Sequence, residues 1–415
     1  MSIKTSFIAL VGLLVALAGQ AAPTDLPEAK TAAAALDNHP QVRAALARLR
    51  QAEAEQARLR AGPHEYGLRL SSQRRNVRGA PDHTEWEAAI ERGLRLPGKA
   101  QLDARIGATG VEEARERVGE ARHEAARQLL GLWYAALQAQ AEVRIWSEQA
   151  AILEAEGRSV RSRIKAGDAA RMQGLQADAA LTQAVAQLGQ AEVRARTALS
   201  ELKRHFPELP PPGGAAAEPS LPEGDEAAWV TGTLDHNHEL LAAQRAAERA
   251  RLLAQRLESD RRPDPVLGLR YASEQGGEER ILGLSLAITL PGEGRGAAAR
   301  GQAAEAEALA EAEAAVRRRI SAEAANNWLR ASGAVETYRR LAQAAEAAQQ
   351  HAALTRRAHE LGEVGLTEVL LARRTALEAR LATEQARLSA NEAIARLLLD
   401  AHQLWPLDEH HDAAQ

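Results

Sequence analysis

A block of sequence that occurs twice limits what this chain can fold into. In each copy, an alternating apolar segment runs into Leu-Pro-Gly, at residues 96–98 and 290–292, and then into a long tract of Ala, Glu and Arg. A helical segment precedes each copy and reads NHPQVRAA in the first and HNHELLAA in the second. We expect the first of these segments to be one helix from about Leu26 to Ala61. The order helix, strand, strand, long helix, turn, helix is therefore predicted twice.

Pattern and composition divide the chain into five parts. Residues 1–22 contain Lys4, an apolar run and then small residues, which is typical of a secretory signal peptide and too short for a membrane anchor. The remaining parts are a first structural repeat of helix, β-hairpin and long helical hairpin (23–205), a Pro/Gly-rich linker (206–225), a second structural repeat (226–405) and a C-terminal tail (406–415).

The tract after each Leu-Pro-Gly has the composition of a long coiled-coil helix. A helix over residues 99–165, which contain no Pro, would span about 100 Å. Aromatic residues make up only 3% of the chain, which suits the thin seams of antiparallel coiled coils better than a globular core. Gly167 and Gly362 supply the turns that reverse the chain. The seam of the helix after Gly167 is predicted at Leu181, Val185, Leu188, Ala195, Leu199 and Leu202.

The predicted strands have one apolar face each. In the last strand, Gly283, Ser285 and Ala287 form the small or polar face, and the apolar residues are Leu282, Leu284, Leu286 and Ile288. Strands of this kind in an exported chain fit a transmembrane barrel, so we expect the apolar residues to face lipid. Four strands cannot close a barrel alone, but three copies of the chain would supply twelve.

Several chemistries are not supported by the sequence. The chain has no Cys, and its net charge of -4 gives no reason to expect nucleic acid as a partner. The G-x-G-x-x-A pattern at residues 292–297 is followed by no strand, so a dinucleotide site is not predicted. The pairs His236/His238 and His410/His411 lack the spacing of a closed metal site. We therefore predict a protein that is not an enzyme and has no cofactor or metal site.

The sequence resembles the TolC family of outer-membrane efflux ducts. The resemblance is carried by the two helical segments, the two Leu-Pro-Gly corners, and the turns RIKAGDAARMQGLQADAAL and AHELGEVGLTEVLLARRTAL. It implies a mainly α fold with a membrane β-barrel portion: a homotrimer with a twelve-stranded barrel in the outer membrane of a Gram-negative bacterium and an α-barrel in the periplasm. It also implies a periplasmic adaptor and an inner-membrane pump of the RND type as partners. The LPGK corner is most similar to the heavy-metal, CzcC-type branch.

The resemblance also implies functional residues at the two glycine turns. The expected adaptor-docking tips, in which we expect Val364 and Leu366 to be exposed, are Gly167, Asp168, Gly362, Glu363, Val364, Gly365 and Leu366. Glu368 matches the family position at which acidic side chains ring the closed end of the duct. Gln173 is its equivalent in the first repeat, and both are candidates for a pore constriction.

The alternative is a periplasmic coiled-coil adaptor or scaffold that does not insert in a membrane. It would account for the helices but not for the four strands with apolar faces or for their duplication. The sequence does not identify what a duct of this kind would conduct. Metal cations and small toxic compounds are both compatible with it.

Overall fold

The computed structural model describes residues 25–76, 78–79, 81–214, 216–405 and 407. The predicted signal peptide, most of the C-terminal tail and the pair His410/His411 lie outside the described residues. The elements are α1 (Ala29–Asp37), α2 (Pro40–Ala61), β1 (Tyr66–Arg75), β2 (His83–Gly93), α3 (Pro97–Ala166), α4 (Arg171–His205), α5 (Glu226–His236), α6 (His238–Ser259), β3 (Val266–Glu274), β4 (Glu279–Ala287), α7 (Glu293–Glu360) and α8 (Leu366–Asp400).

The element order repeats as the sequence predicts. Helix pairs α1–α2 and α5–α6 precede hairpins β1–β2 and β3–β4, and each hairpin leads into a long helix and a shorter one. Helix α3 has 70 residues and α7 has 68, so each is about 100 Å long at 1.5 Å per residue. Helix α4 packs against α3, and α8 packs against both α7 and α3. No described helix has the length and apolar character needed to cross a membrane.

The single helix expected from Leu26 to Ala61 is wrong in one respect, because the structure contains two helices there. Helix α1 ends at Asp37 and α2 begins at Pro40. Proline has no N–H to donate and disfavours the helical conformation in the residue before it, and His39 accordingly has an extended backbone (φ -63°, ψ 136°). In the second repeat Asn237 makes the same break, and its side chain accepts a hydrogen bond from the N–H of Leu240 at 2.9 Å.

The main core lies where the middle of α3 meets α1, α5 and the last turns of α8. The fully buried Tyr134 donates a hydrogen bond to the Asp25 carboxylate at 3.2 Å, and the indole N–H of Trp133 donates to the Asp25 carbonyl at 2.6 Å. The predicted linker contains no helix or strand from residue 206 to 225 among its described residues, yet Phe206 and Leu209 are buried in this core. The segment is therefore irregular but packed.

Over much of α4, the seam is made of smaller residues than the pattern predicts. Helix α4 buries Ala177, Ala184 and Ala191, which are spaced by seven residues, against α3. Of the residues that we expected in the seam, Ala195 and Leu202 are buried, whereas Val185 is exposed. Alanine allows the long helices to approach closely, and the larger apolar side chains are left on the outer surface of the hairpin. The large apolar residues exposed on the helices include Leu175, Val185, Val193, Leu329, Leu354 and Leu371.

Candidate functional site

The four strands form one antiparallel sheet in the order β1-β2-β3-β4, with an exposed apolar face. Residues with apolar side chains lie opposite one another across the strands, so the pattern predicted for β4 extends over the whole sheet. The central row of this apolar face consists of Leu68, Ile90, Leu269 and Leu284. The flanking rows contribute Tyr66, Leu70, Trp86, Leu267, Tyr271, Leu282 and Leu286, and every one of these eleven side chains is exposed.

Ile288 is the exception among the four residues that we expected in the last strand. Strand β4 ends at Ala287, whose partner is Val266, the first residue of β3. Pro265 precedes Val266 and has no N–H with which to continue the ladder. Ile288 is exposed but lies just beyond the strand.

The opposite face of the sheet is polar. Arg69 pairs with Glu91 at 3.4 Å, and Arg270 pairs with Glu87 at 3.0 Å. The buried carboxylate of Glu85 pairs with Arg75 at 2.8 Å. A strand that alternates apolar and polar side chains in this way suits one face in lipid and one face in water. The strands have 9 to 11 residues, about the number needed to cross a bilayer when tilted.

Arg92, which interrupts the apolar face, lies at its end nearest the helices. Its guanidinium group stands 4.5 Å from the ring centroid of Tyr66 and donates a hydrogen bond to the Tyr66 hydroxyl at 3.0 Å. Nearer the other end of the face, the rings of Trp86 and Tyr271 are 5.4 Å apart. Aromatic residues at both ends of an apolar band are typical of the two membrane interfaces, where an arginine head group can also reach water.

The sheet has two open edges. Within the part of the chain that the structure describes, β1 and β4 each pair with one neighbour only. A long edge strand next to an exposed apolar face is prone to pair with another chain. We therefore expect both the apolar face and the two edges of the sheet to contact a partner.

A buried ionic network holds the corner between β2 and α3. Lys99, whose side chain is only 3% exposed, places its ammonium group 2.8 Å from Asp264 and 3.0 Å from Asp260, and donates to the Arg262 carbonyl at 2.6 Å. Asp264 also pairs with His64 at 2.8 Å. The lysine of the LPGK corner thus joins the first repeat to the connection between α6 and β3 in the second.

The network keeps both aspartates charged. Burial raises the pKa of Asp264, but hydrogen bonds from Lys99 and His64 outweigh burial, and the net pKa lies below its usual value of 3.8. For Asp260, burial is likewise outweighed by hydrogen bonds from Arg256 and Lys99, and its pKa is also lowered. Two ionised carboxylates around one buried ammonium group make the corner a rigid link between sheet and helices.

The two glycine turns have the same hydrogen-bonded geometry. Gly167 has φ 88° and Gly362 has φ 80°, conformations that favour glycine over other residues. The N–H of Asp168 donates to Arg163 O at 2.8 Å, and the N–H of Glu363 donates to Ala358 O at 2.9 Å. These bonds define a Schellman motif at the end of each long helix. The duplication therefore extends to the backbone of the tips.

The tips of the two hairpins pack together, so neither Leu366 nor Val364 is exposed as we expected. Leu366 is 2% exposed and lies in a small cluster with Val160 and Ala177, whereas we expected it to be exposed. As the first residue of α8, it points between the helices instead of outward. Val364 is half-buried, and its carbonyl lies 2.8 Å from His359 Nδ1.

The exposed residues at the tips include five of the seven predicted ones and several others. Asp168, Gly362, Glu363 and Gly365 are exposed, as is Gly167. Leu361 is 61% exposed beside the glycine turn, and Met172, Leu175 and Leu371 are exposed nearby in sequence. The apolar surface that we expected from Leu366 is thus provided by its neighbours.

The two candidate constriction residues differ in their surroundings. Glu368 is exposed, and its Oε2 lies 2.9 Å from the position that a Cβ atom would take at Gly365, so the carboxylate folds back over the start of α8. Negative charge is favourable at a helix N-terminus. Gln173 is half-buried, and its Oε1 has no hydrogen-bond partner within the described residues. A role in a constriction remains a prediction for both.

The structure also brings together three histidines that the sequence pattern did not single out as a group. The nitrogen atoms of His123, His238 and His402 that could bind a metal lie within 4.8 Å of one another. They come from α3, α6 and the segment after α8, so no spacing in the sequence predicts the cluster. Of the two pairs weighed from the sequence, only His238 belongs to it.

The fold is shared with outer-membrane channels of known structure. It is similar to the outer-membrane channel OprN, with a TM-score of 0.75 and 18% identity over 90% of this chain and 89% of that chain. For the open MtrE channel of Neisseria gonorrhoeae, the TM-score is 0.73 and the identity is 17%, over 92% of this chain and 90% of that chain. For the CmeC channel of Campylobacter jejuni, the TM-score is 0.71 and the identity is 14%, over 91% of this chain and 85% of that chain. No protein-family model and no curated protein matches the sequence.

These comparisons define the class of fold. The chain is mainly α-helical with one four-stranded antiparallel sheet, and it is matched over nine-tenths of its length by channels of this architecture. The likeness at such low identity concerns the fold.

Proposed function

We propose that this protein is the outer-membrane duct of a tripartite efflux system in a Gram-negative bacterium. The observation that carries the proposal is the sheet, with one continuous apolar face that is exposed to its full width, a polar face opposite it, and two open edges. The sheet continues through a rigid corner into helices of about 100 Å. Such a molecule can cross the outer membrane by its strands and extend into the periplasm by its helices. It would conduct substrates passively.

Membrane insertion is tested by fractionation and by conductance. The full chain should co-fractionate with outer-membrane porins, and the purified protein should form ion-conducting pores in planar lipid bilayers. A heat-denatured sample from the same preparation serves as the control for detergent effects. A protein found only in the soluble periplasmic fraction, with no pore activity, would favour the alternative, an adaptor or scaffold without membrane insertion.

We expect a homotrimer. Four strands leave two edges unpaired, and three copies would join β1 of one chain to β4 of the next in a twelve-stranded barrel. The apolar residues on the outer surfaces of the helices, such as Leu175 and Val193, would be covered by the neighbouring hairpins. Native mass spectrometry of the detergent-extracted protein should show three chains, and a stable monomer would contradict the barrel.

The partners that this proposal requires are a periplasmic adaptor and an inner-membrane pump, of the RND type by resemblance. A passive duct needs a source of energy elsewhere, and its long hairpins end in the two glycine turns. Exposed Leu361 beside Gly362 and Glu363 is the surface at which we place the adaptor. Glu368 and Gln173 of three chains would form the constriction just inside the tip.

The tip proposal predicts that Leu361→Asp abolishes efflux while the trimer and its insertion are retained. Loss of one central contact in an interface costs about 2 kcal/mol or more, which is about 30-fold in affinity. The measurement is substrate tolerance of a deletion strain that expresses each variant at equal level. Gln349→Asp, at an exposed polar residue about three turns back on α7, is the matched control and should export normally. Normal export by Leu361→Asp would place docking elsewhere.

The substrate class remains a proposal. The CzcC-type resemblance favours metal cations, and small toxic organic compounds are the other class. A deletion strain should be profiled for tolerance of zinc, cobalt and cadmium ions and of detergents, dyes and antibiotics. Sensitivity to metal ions alone would support the heavy-metal branch.

A further inference from the structure

Three imidazole rings meet in the middle of the helical region. The ring centroids of His123 and His402 are 4.1 Å apart, those of His238 and His402 are 5.1 Å apart, and those of His123 and His238 are 5.5 Å apart. His123 is 2% exposed, and the other two rings are partly buried. A histidine cluster shielded in this way differs from histidines scattered on a surface.

The spacing of the nitrogens suits one metal ion. In a tetrahedral zinc site, nitrogen ligands 2.0–2.1 Å from the ion are about 3.3 Å from each other. The candidate nitrogens of the three histidines lie within 4.8 Å of one another. Small rotations of the rings are enough to bring the nitrogens to the separation that a tetrahedral site requires. Three histidines also leave a fourth position open for a water molecule or another ligand.

The backbone around the cluster is adapted to hold these rings. A Cβ atom at Gly119 would lie 2.5 Å from the ring of His238, so glycine on α3 makes the space that the imidazole occupies. His402 has φ 57° at the end of α8, where Gln403 N–H donates to Leu398 O at 2.8 Å in a Schellman motif. Glycine is the usual residue at that position, and a histidine there is held against its conformational preference.

A carboxylate orients one of the rings. Nδ1 of His238 lies 2.8 Å from Glu116 Oε2, so Nε2 is the nitrogen through which this ring would bind an ion. A histidine that binds a metal commonly donates its other ring N–H to a carboxylate, which fixes the ring and makes the binding nitrogen more basic. Glu116 is in the place that such an orienting group requires.

We propose that His123, His238 and His402 bind a divalent transition-metal ion, with Zn²⁺ as the best fit. Imidazole nitrogens are ligands that Zn²⁺ accepts readily, and the set contains no hard oxygen ligand of the kind that Mg²⁺ or Ca²⁺ requires. The ion would join α3 of the first repeat to the start of α6 in the second and to the segment after α8. This site does not depend on the protein being an efflux duct.

The test uses the full chain, purified in detergent with an affinity tag that contains no histidine and stripped with a chelator. Zinc binding is measured by isothermal titration calorimetry, and coordination by the visible absorption of bound Co²⁺. All variants are made in a His410→Ala/His411→Ala background, so that the terminal pair cannot contribute. We expect one ion per chain and the intense cobalt spectrum of a four-coordinate site.

Three variants distinguish a specific loss of metal binding at this site from a general loss of structure. His402→Gln removes a ligand and should abolish the cobalt spectrum. Glu116→Gln keeps all three ligands and should weaken zinc binding by about 10- to 100-fold. Gly119→Ala also keeps the ligands but displaces His238, and it should weaken binding while the trimer and the helical circular dichroism stay unchanged. His351→Gln, at an exposed histidine on α7, is the matched control and should bind like the parent.

Two results would overturn the proposal. One is a parent protein that binds less than one ion per chain or gives the weak cobalt spectrum of a six-coordinate site. The other is a parent that binds one ion with an affinity that Glu116→Gln and Gly119→Ala leave unchanged. Because both of those variants retain the full ligand set, a failure of His402→Gln to fold would not affect the outcome.

Discussion

Lys99→Met is expected to lower the free energy of unfolding by about 3–5 kcal/mol, the usual cost of removing one partner from a buried ion pair. The side chain of Lys99 is buried, and its ammonium group lies 2.8 Å from Asp264 and 3.0 Å from Asp260. Methionine fills a similar volume but leaves the Asp264 carboxylate buried with fewer partners. The measurement is the denaturant midpoint of the detergent-solubilised trimer, followed by helical circular dichroism.

The control and the rescue distinguish this cause from a general loss of charge. Lys203→Met, at an exposed lysine on α4, should leave the midpoint unchanged. Adding Asp264→Asn to Lys99→Met removes the uncompensated buried charge and should recover part of the loss. If Lys99→Met unfolds at the parent midpoint, the network does not hold the corner.

The same network predicts how stability depends on pH. The pKa values of Asp260 and Asp264 are lowered in the folded chain, so their contribution is present above the usual value of 3.8 and is lost as the pH falls through the folded pKa. The parent trimer should therefore lose stability below about pH 4, and Lys99→Met should lose less over that range because less remains to be lost.

The strands, the corners and the glycine turns could be predicted from sequence because each depends on a local pattern. Alternation identifies the apolar face around Leu284, and proline or glycine marks each change of element. The duplication strengthened these predictions, since the same order occurs twice. The helix break at His39 could also have been predicted, because Pro40 directly follows it.

The misses depend on contacts between distant parts of the chain. Leu366 follows a glycine turn and looked exposed, but its burial requires Val160 and Ala177 from the other hairpin. The seam of α4 uses alanine because α3 approaches closely. The distance between two helices cannot be predicted from the sequence pattern of one of them. The cluster of His123, His238 and His402 was missed for the same reason, since the three lie on separate elements. Only the glycine at Gly119 hints at a close approach, and it does not identify the ring that fills the space.

The central row of the apolar face should be the part of the sheet that tolerates charge least. Leu284 is 81% exposed and lies in the row with Leu68, Ile90 and Leu269, between the row of Leu282 and the row of Leu286. If that face contacts lipid, an arginine there stands near the middle of the bilayer. Leu284→Arg is then expected to cost about 2–4 kcal/mol and to reduce the amount of trimer in the outer membrane.

Two further variants test how deep Leu284 lies in the bilayer and which face of the sheet contacts lipid. Leu286→Arg lies one row nearer the helices, in the row that already contains Arg92 and Tyr66, and should cost less because the cost of arginine falls toward the interface. Ser285→Arg is on the same strand but on the polar face, across from Gly268, and should assemble and fractionate like the parent. The readouts are trimer level in the outer-membrane fraction and the unfolding midpoint in lipid. If Ser285→Arg is harmful and Leu284→Arg is not, the sheet faces the other way, and if neither has an effect, these strands do not lie in a membrane.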